Sequence, residues 1–328
     1  MTVVLFTCAG QRVDIVTAFR RAGATTIATD VGELAPALYH ADHRALVPRI
    51  DDPGYVAALR DLVALHDVRL IVPLTDLDHV VLARARDVLA PAVVLVPDED
   101  TSARCADKYL AHRFFEEKGI GTPPTWLPGE LPTELPFPVL VKARKGFGSR
   151  HIYRAADRSE LDFFLRYTTA ESMVQAVCSG VEFSIDVFCD LGGRCVAAIP
   201  RTMIESKGGE SIKGMTIKDE ELIAFGCTVA ESLRIVGPAN VQCFREPDGI
   251  LKVTDVNPRF GGGFPLPTAA GSRYPELAVA LANGEQLEPR LGDFREGVVM
   301  TRYFAQVILE EVDGALEPMQ AEAVPGEA

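Results

Sequence analysis

Residues 252 to 263 read K-V-T-D-V-N-P-R-F-G-G-G, and the way this stretch is read decides what the rest of the chain has to be. Side chains alternate faces along a strand, so a strand here sets Val253, Asp255, Asn257 and Arg259 on one side and Thr254, Val256 and Pro258 on the other. A solvated strand face usually carries Thr, Lys or Glu. This one offers a carboxylate, an amide oxygen and a guanidinium, then backbone free of side chains. Hard oxygen ligands suit Mg²⁺, and a planar fork of donors suits phosphate. On the fragment alone, a polar strand end running into a flexible turn reads equally well.

Working outward, N-V-Q-C-F at 240–244 lies upstream across R-E-P-D-G. A two-residue hairpin turn at Asp248-Gly249 sets Gln242 opposite Asp255, so that Gln242, Asp255 and Asn257 share a face. Three oxygens on one face favour a cation site over a bland strand end. A bulge in the hairpin would break that alignment.

Two stretches upstream add to it. V-L-V-K-A-R-K-G-F-G-S-R, residues 139–150, is an apolar strand ending in Lys142, followed by a loop with Lys145, Gly146, Gly148 and Ser149. Glycines let backbone N–H groups turn toward an anion, and lysines add point charge. It is no G-x-x-x-x-G-K-[ST] loop, and a flexible charged hairpin is the competing reading. In S-M-V-Q-A-V-C-S-G-V-E-F-S-I-D-V-F, residues 172–188, the extended backbone from Gln175 to Val177 can meet the edge of a purine, and Glu182 can accept from ribose hydroxyls.

Residues 3 to 97 alternate short β-rich runs with helical patterns, which indicates a parallel sheet. A helical stretch is expected from about Thr101 to Lys118, and the proline-rich segment 127–138 reads as a connection. Beyond it the strands lengthen into an α+β pattern. The acidic stretch from about Asp313 carries no aromatic residue and is expected to be disordered.

The 328 residues are too many for one small core. A formal net charge of −13 argues against nucleic acid or an anionic membrane surface as the main partner. No stretch approaches the ~20 apolar residues of a membrane span, and M-T-V-V-L-F-T-C-A-G reads as a buried strand rather than a leader, so a cytoplasmic location is expected. The seven cysteines form no C-x-x-C pair and read as reduced thiols.

D-K-Y-L at 107–110, V-L-V-K-A-R-K-G-F-G-S-R, V-Q-A-V-C-S-G-V-E-F, N-V-Q-C-F and T-D-V-N-P-R-F-G-G-G occur in one order with one set of intervals. This series resembles the ATP-grasp superfamily, in particular the branch similar to half of a carbamoyl phosphate synthetase large chain and to stand-alone carboxylate–amine ligases. The resemblance implies a Rossmann-like pre-ATP-grasp domain (1–100), a linker helix with the ATP-grasp small lobe (101–178), and an ATP-grasp large lobe (179–312). It implies ATP and Mg²⁺ as cofactors, a small carboxylate and an amine as substrates, and an acyl phosphate released with ADP.

Carried over by motif, Lys108 and Lys142 resemble the nucleotide contacts, and the segment from Lys145 to Arg150 resembles a mobile lid over the phosphates. Gln175 and Val177 would meet adenine, and Glu182 the ribose. Gln242, Asp255 and Asn257 would hold Mg²⁺, and Arg259 would face the transferred phosphate. Gln242 is neutral where many members carry an acid, although the carbamoyl branch also uses glutamine, and His151 stands where the family often continues with glycine. Arg201, in I-P-R-T-M-I-E-S-K-G-G-E-S-I-K-G (199–214), is assigned to the carboxylate or acceptor pocket, against the alternative of a polar surface loop.

Two other functions compete. Asp30 lies 20 residues after Gly10, the distance at which dinucleotide folds place a ribose-binding carboxylate, which would make the chain an NAD-dependent oxidoreductase. F-T-C-A-G-Q-R-V-D has one glycine where the dinucleotide motif needs three. A non-catalytic nucleotide-binding protein is the third reading, and keeping Asp255, Asn257 and Arg259 together speaks against it. A homodimer is the default for an enzyme of this size.

Overall fold

The computed structural model describes residues 1–146, 151–207 and 210–319. The first 94 residues build β1 (Val3–Thr7), α1 (Val13–Arg21), β2 (Thr25–Asp30), β3 (His43–Leu46), α2 (Tyr55–His66), β4 (Leu70–Pro73), α3 (His79–Arg84), α4 (Arg86–Leu89) and β5 (Val93–Val94). The five strands pair in parallel in the order β3-β2-β1-β4-β5. Val4, Leu5 and Phe6, like Leu70, Ile71 and Val72, are fully buried, as expected for strands covered on both faces. The strand order reverses between β1 and β4, which leaves a crevice at their carboxyl ends.

The single helix expected over 101–118 is two, α5 (Glu99–Ala106) and α6 (Lys108–Glu117). Asp107 breaks it. Its backbone is extended, its carboxylate accepts from the N–H groups of Tyr109 and Leu110, and Arg144 holds the same carboxylate at 2.6 Å. A capping residue wins here because it starts a new helix and is itself charge-paired. The break puts Lys108 at the first position of α6, facing the strands described below.

The small lobe follows: β6 (Thr125–Trp126), β7 (Val139–Ala143), β8 (Ile152–Ala155), α7 (Arg158–Tyr167) and β9 (Ser172–Ala176), with antiparallel strands in the order β6-β9-β7-β8. Its core is small and its own: Val139, Val141, Ala155, Leu161 and Val174.

The remainder contains β10 (Val181–Cys189), β11 (Cys195–Thr202), β12 (Glu205–Lys207), β13 (Glu210–Met215), α8 (Glu220–Ser232), β14 (Gly237–Arg245), β15 (Leu251–Asn257), α9 (Pro265–Ala270), α10 (Tyr274–Ala282) and β16 (Val299–Thr301). Strands β11-β10-β14-β15 form an antiparallel sheet. Phe183, Ile185, Val187, Val241 and Cys243 are buried on one face, against α8, where Gly226 lets the helix approach Ile185. The other face is polar and holds the site.

The disorder expected from Asp313 gives way to order through residue 318. A hairpin of β17 (Leu309–Val312) and β18 (Ala315–Pro318) turns at Asp313-Gly314, and Arg44 holds Glu317 at 2.6 Å. An Asp-Gly turn between two short strands, with a cation opposite the acidic strand, outweighs the disorder-like composition. No helix among the described residues is long and apolar enough to cross a membrane.

Candidate active site

The register of β14 and β15 sets the site. Gln242 pairs with Asp255, Val241 with Val256 and Asn240 with Asn257, as the sequence reading required. The route is different. Residues 246–250 close a wider turn than the two-residue one expected: Glu246 N–H donates to Ile250 C=O at 2.9 Å, and Gly249 adopts φ +88°. That shifts the register by one residue, and a bulge at Thr254 shifts it back. Two departures cancel, so the bulge restores the alignment it was expected to break. It also moves Val253 (1% exposed) to the core face with Val256, where a plain strand would leave it beside Asp255.

The polar face runs across the whole sheet. Glu182 pairs with Phe244, Ser184 with Gln242 and with Arg201, and Asp186 with Asn240, so Glu182, Ser184, Asp186, Arg201, Asn240, Gln242, Asp255 and Asn257 lie on one side. Half of it is roofed. Gly261 lies over Asp186 and Asn240, and a Cβ there would sit 2.7 Å from Asp186 Oδ1. Gly263 lies over Arg201, and a Cβ there would sit 2.5 Å from its Cζ. These two glycines explain the run after Phe260: only bare backbone comes this close.

Beneath the roof the polar groups satisfy one another. Arg201 Nε donates to Asp186 Oδ2 at 2.8 Å, its Nη1 donates to Ser211 Oγ at 3.1 Å, and Asn240 Nδ2 donates to Asp186 Oδ1 at 2.8 Å. Arg201 is 2% exposed. Arg201, expected in a substrate pocket, has its guanidinium beneath the glycine loop, with Nε on Asp186 and Nη1 on Ser211. Asp186, which no sequence motif singled out, is its anchor; the alternation in V-E-F-S-I-D-V-F was the available signal.

The unroofed half faces the small lobe. Lys108 Nζ lies 3.5 Å from Asp255 Oδ2 and donates to Gly146 C=O at 3.1 Å. Lys142 is buried, and its Nζ donates to Gln175 Oε1 at 3.1 Å, whose Nε2 donates to Thr125 Oγ1 at 2.9 Å. Burial pushes the Lys142 pKa down against the pull of Asp255. Burial raises the pKa of Glu182, with Lys142 and Arg201 opposing. Arg259 donates to Asn257 Oδ1 and to Asp76 Oδ2, both at 3.2 Å.

Residues 177–180 join the lobes outside any strand, so Val177 has no ladder partner. This connection is pinned where Glu246 accepts from Ser179 N–H at 3.0 Å and from its hydroxyl at 2.8 Å. Gly180 packs on the Arg245 carbonyl, where a Cβ would sit 1.9 Å from the oxygen. Lys145 and Gly146 are exposed at the rim; Gly148 and Ser149 lie outside the described residues. His151 adopts φ +55°.

Gln242, Asp255 and Asn257 thus share one face, with Lys108 beside Asp255, Lys142 under the pull of the Asp255 charge, and Arg259 on Asn257. Among the described residues no three His, Cys, Asp or Glu side chains gather, so a cation here would be held by one carboxylate and amide oxygens, completed by phosphate and water. That all-oxygen set suits Mg²⁺, which keeps several waters and binds through one or two carboxylates plus substrate phosphates.

The competing dinucleotide reading meets an obstacle. Asp30 accepts from the N–H groups of Gly10 and Val31, both at 2.8 Å, and of Gly32 at 3.3 Å, so its oxygens fasten its own loops.

Residues 4–96 match the family model described as PylC-like, N-terminal domain, and residues 168–303 match the model of the ATP-grasp in the biosynthetic pathway with Ter operon. No curated protein matches the sequence. The biotin carboxylase domain of Hydrogenobacter thermophilus 2-oxoglutarate carboxylase, solved with MgADP and bicarbonate, superposes with a TM-score of 0.74 at 14% identity, over 97% of this chain and 83% of that one. The L-amino acid ligase of Bacillus licheniformis gives 0.67 at 18%, over 86% and 74%. Rhizobium etli pyruvate carboxylase gives 0.70 at 16%, over 90% of this chain, which spans only 30% of that one. Two regions of the chain thus match models of a PylC-like N-terminal domain and of an ATP-grasp, and its fold superposes on the solved structures above.

Proposed function

We propose that the chain is an ATP- and Mg²⁺-dependent ligase that joins a carboxylate to an amine through an acyl phosphate. The observation that carries this reading is the meeting of the Gln242–Asp255–Asn257 oxygens of the large lobe with Lys108 and Lys142 of the facing elements.

In this reading the nucleotide lies between the lobes. The backbone at Val177 and the Gln175 side chain meet adenine, Glu182 accepts from ribose, and Lys108, Lys142, Lys145 and the Gly146–Ser149 loop meet the phosphates. Gln242, Asp255 and Asn257 would hold Mg²⁺, which neutralises charge on the β- and γ-phosphates when bound. The protein's task is to bring two anions together. At ~4 Å, unit charges repel by about 4 kcal/mol even at an effective dielectric near 20. Lys108, Lys142 and Arg259 offset that repulsion from fixed positions.

A carboxylate oxygen attacks the γ-phosphorus and the bond to the β-phosphate oxygen breaks, giving acyl phosphate and ADP. The amine nitrogen then attacks the acyl carbon and phosphate departs. Arg259, held between Asn257 and Asp76, faces the group in transfer. Arg201 acts at one remove, through the glycine loop. The L-amino acid ligase superposed above supports an amino-acid-like substrate pair. The test is a screen of amino acids and small acids as ¹⁸O-labelled carboxylates. Appearance of one label in the released phosphate is expected, and ADP release with unlabelled phosphate would reject the acyl phosphate.

A further inference from the structure

Behind the oxygen face, where the large-lobe sheet packs on α8, sulfur atoms gather. Cys195 opens β11, Cys189 pairs with it across the end of β10, and Cys227 stands on α8. All three are free thiols; Cys189 and Cys195 are buried and Cys227 is half-buried. The ligase reading gives none of them a task.

Cys195 and Cys227 are more than packing neighbours. The Cys227 thiol donates to Cys195 Sγ at 3.0 Å, and the Cys195 thiol donates onward to Ala197 C=O at 3.4 Å. A lone pair of Cys195 therefore faces the Cys227 sulfur. The gap exceeds the ~2.05 Å of a disulfide by about 1 Å, which small side-chain rotations cover. The two elements are already tied at this point, because Cys195 N–H donates to Glu231 Oε1 at 3.0 Å, one turn beyond Cys227 on α8. Access is one-sided: a reagent from solvent meets Cys227 first, with Cys195 (3% exposed) behind it. A buried cysteine standing alone is a small apolar group, whereas two sulfurs in contact, one of them reachable, have a redox chemistry of their own.

We infer that Cys195 and Cys227 form a dithiol that a peroxide oxidises to a disulfide, fastening α8 to β11 behind the site. The Cys227 sulfur attacks one peroxide oxygen, the O–O bond breaks, and a sulfenic acid and one water result. The Cys195 sulfur then attacks the Cys227 sulfur. The S–S bond forms, the S–O bond breaks, and the hydroxyl leaves as water with the Cys195 proton. In sum, two thiols lose two hydrogens and the peroxide is reduced to two waters. The contact with Cys195, burial and the Glu231 charge raise the Cys227 pKa, so the reaction should be slow at neutral pH and faster in alkali. None of these steps depends on the ligase reading.

The test treats the full chain with hydrogen peroxide at pH 9, blocks the remaining thiols with iodoacetamide and maps the peptides by mass spectrometry. The expected product is a peptide pair joined through Cys195 and Cys227, lighter by two hydrogens than the free thiols and separated again by dithiothreitol. The closed loop should raise the thermal midpoint by about 5 °C, a rise that dithiothreitol reverses. Cys227→Ser should leave Cys195 as a free thiol and abolish the rise; Cys178→Ser, outside the pair, should keep both. The wild-type map decides even where Cys227→Ser fails to fold. A bond between Cys189 and Cys195, a bond between two molecules, sulfinic acid at Cys227 with no bond, thiols that stay unreacted at pH 9, or a bond that leaves the midpoint unmoved would each overturn the inference.

Discussion

The N-terminal domain and the large lobe share one hydrophobic core, whereas the small lobe has a separate core of five buried residues. Across the first boundary the rings of Phe6, Phe19, Phe260 and Phe264 touch in series at 4.8 to 5.9 Å, and Arg12 ties its loop to the Phe260 and Gly261 carbonyls. Polar links join the small lobe to the rest: Arg144 to Asp107 at 2.6 Å, Lys108 to the Gly146 C=O at 3.1 Å, and Ser179 to Glu246 at 3.0 Å. The difference teaches a division of labour. Gln242, Asp255, Asn257 and Arg259 sit on one continuous body, and Lys142 sits on a body joined through hydrogen bonds and ion pairs, which exchange with water or ligand at little net cost.

The comparison can be broken first at Lys142. Lys142→Ala should lower ATP-dependent turnover on the order of 10²–10³-fold. Its thermal midpoint should stay near the wild type, because the burial that penalises this cation disappears with it. A large loss of stability with turnover intact would make Lys142 a structural residue.

The two cores are distinguished next. Leu161→Ala, fully buried in the small-lobe core, should cost about 2–5 kcal/mol. Gly263→Ala forces Arg201 off Asp186 and should cost about 1–3 kcal/mol. Hydrogen exchange should confine the first effect to 125–176 and spread the second through the N-terminal domain and large lobe together. Loss of protection everywhere in Leu161→Ala would show one core rather than two.

A smaller effect sharpens the hinge. Burial pushes the Glu246 carboxyl up, but donors from Ser179 and Lys252 outweigh it and hold the pKa at about 2, below the ordinary 4.5. A depressed carboxyl contributes stability that is present above its unfolded pKa and is lost as pH falls through the folded one. The Ser179–Glu246 tether should therefore hold at neutral pH and release as pH drops from 4.5 toward 2. Trp126 is the one tryptophan in the sequence and lies on β6, so its fluorescence should follow the release. In Glu246→Gln the acid-induced change should be absent; an identical change there would place its origin elsewhere.

Much of the fold was legible because parallel strands buried on both faces read as apolar runs, and V-V-L-F and R-L-I-V-P-L are such runs. The oxygen face was legible because an alternating D-V-N-P-R carries its register in local sequence. What stayed hidden depends on distant partners. Asp107 breaks a helix because Arg144 pairs with it. Arg201 lies buried on Asp186, 15 positions upstream. Asp76 joins the site only because Arg259 reaches it across 183 positions. The Gln242–Asp255 alignment is instructive: turn and bulge each departed from expectation, and their offsets cancelled.

The most direct test of the central claim is carboxylate-dependent ADP release by Asp255→Ala at saturating Mg²⁺. Asp255 is only partly buried and pairs with Lys108 at 3.5 Å, so the variant should fold. The account predicts a well-folded protein whose ADP release falls on the order of 10²–10³-fold. Release at the wild-type rate would contradict it.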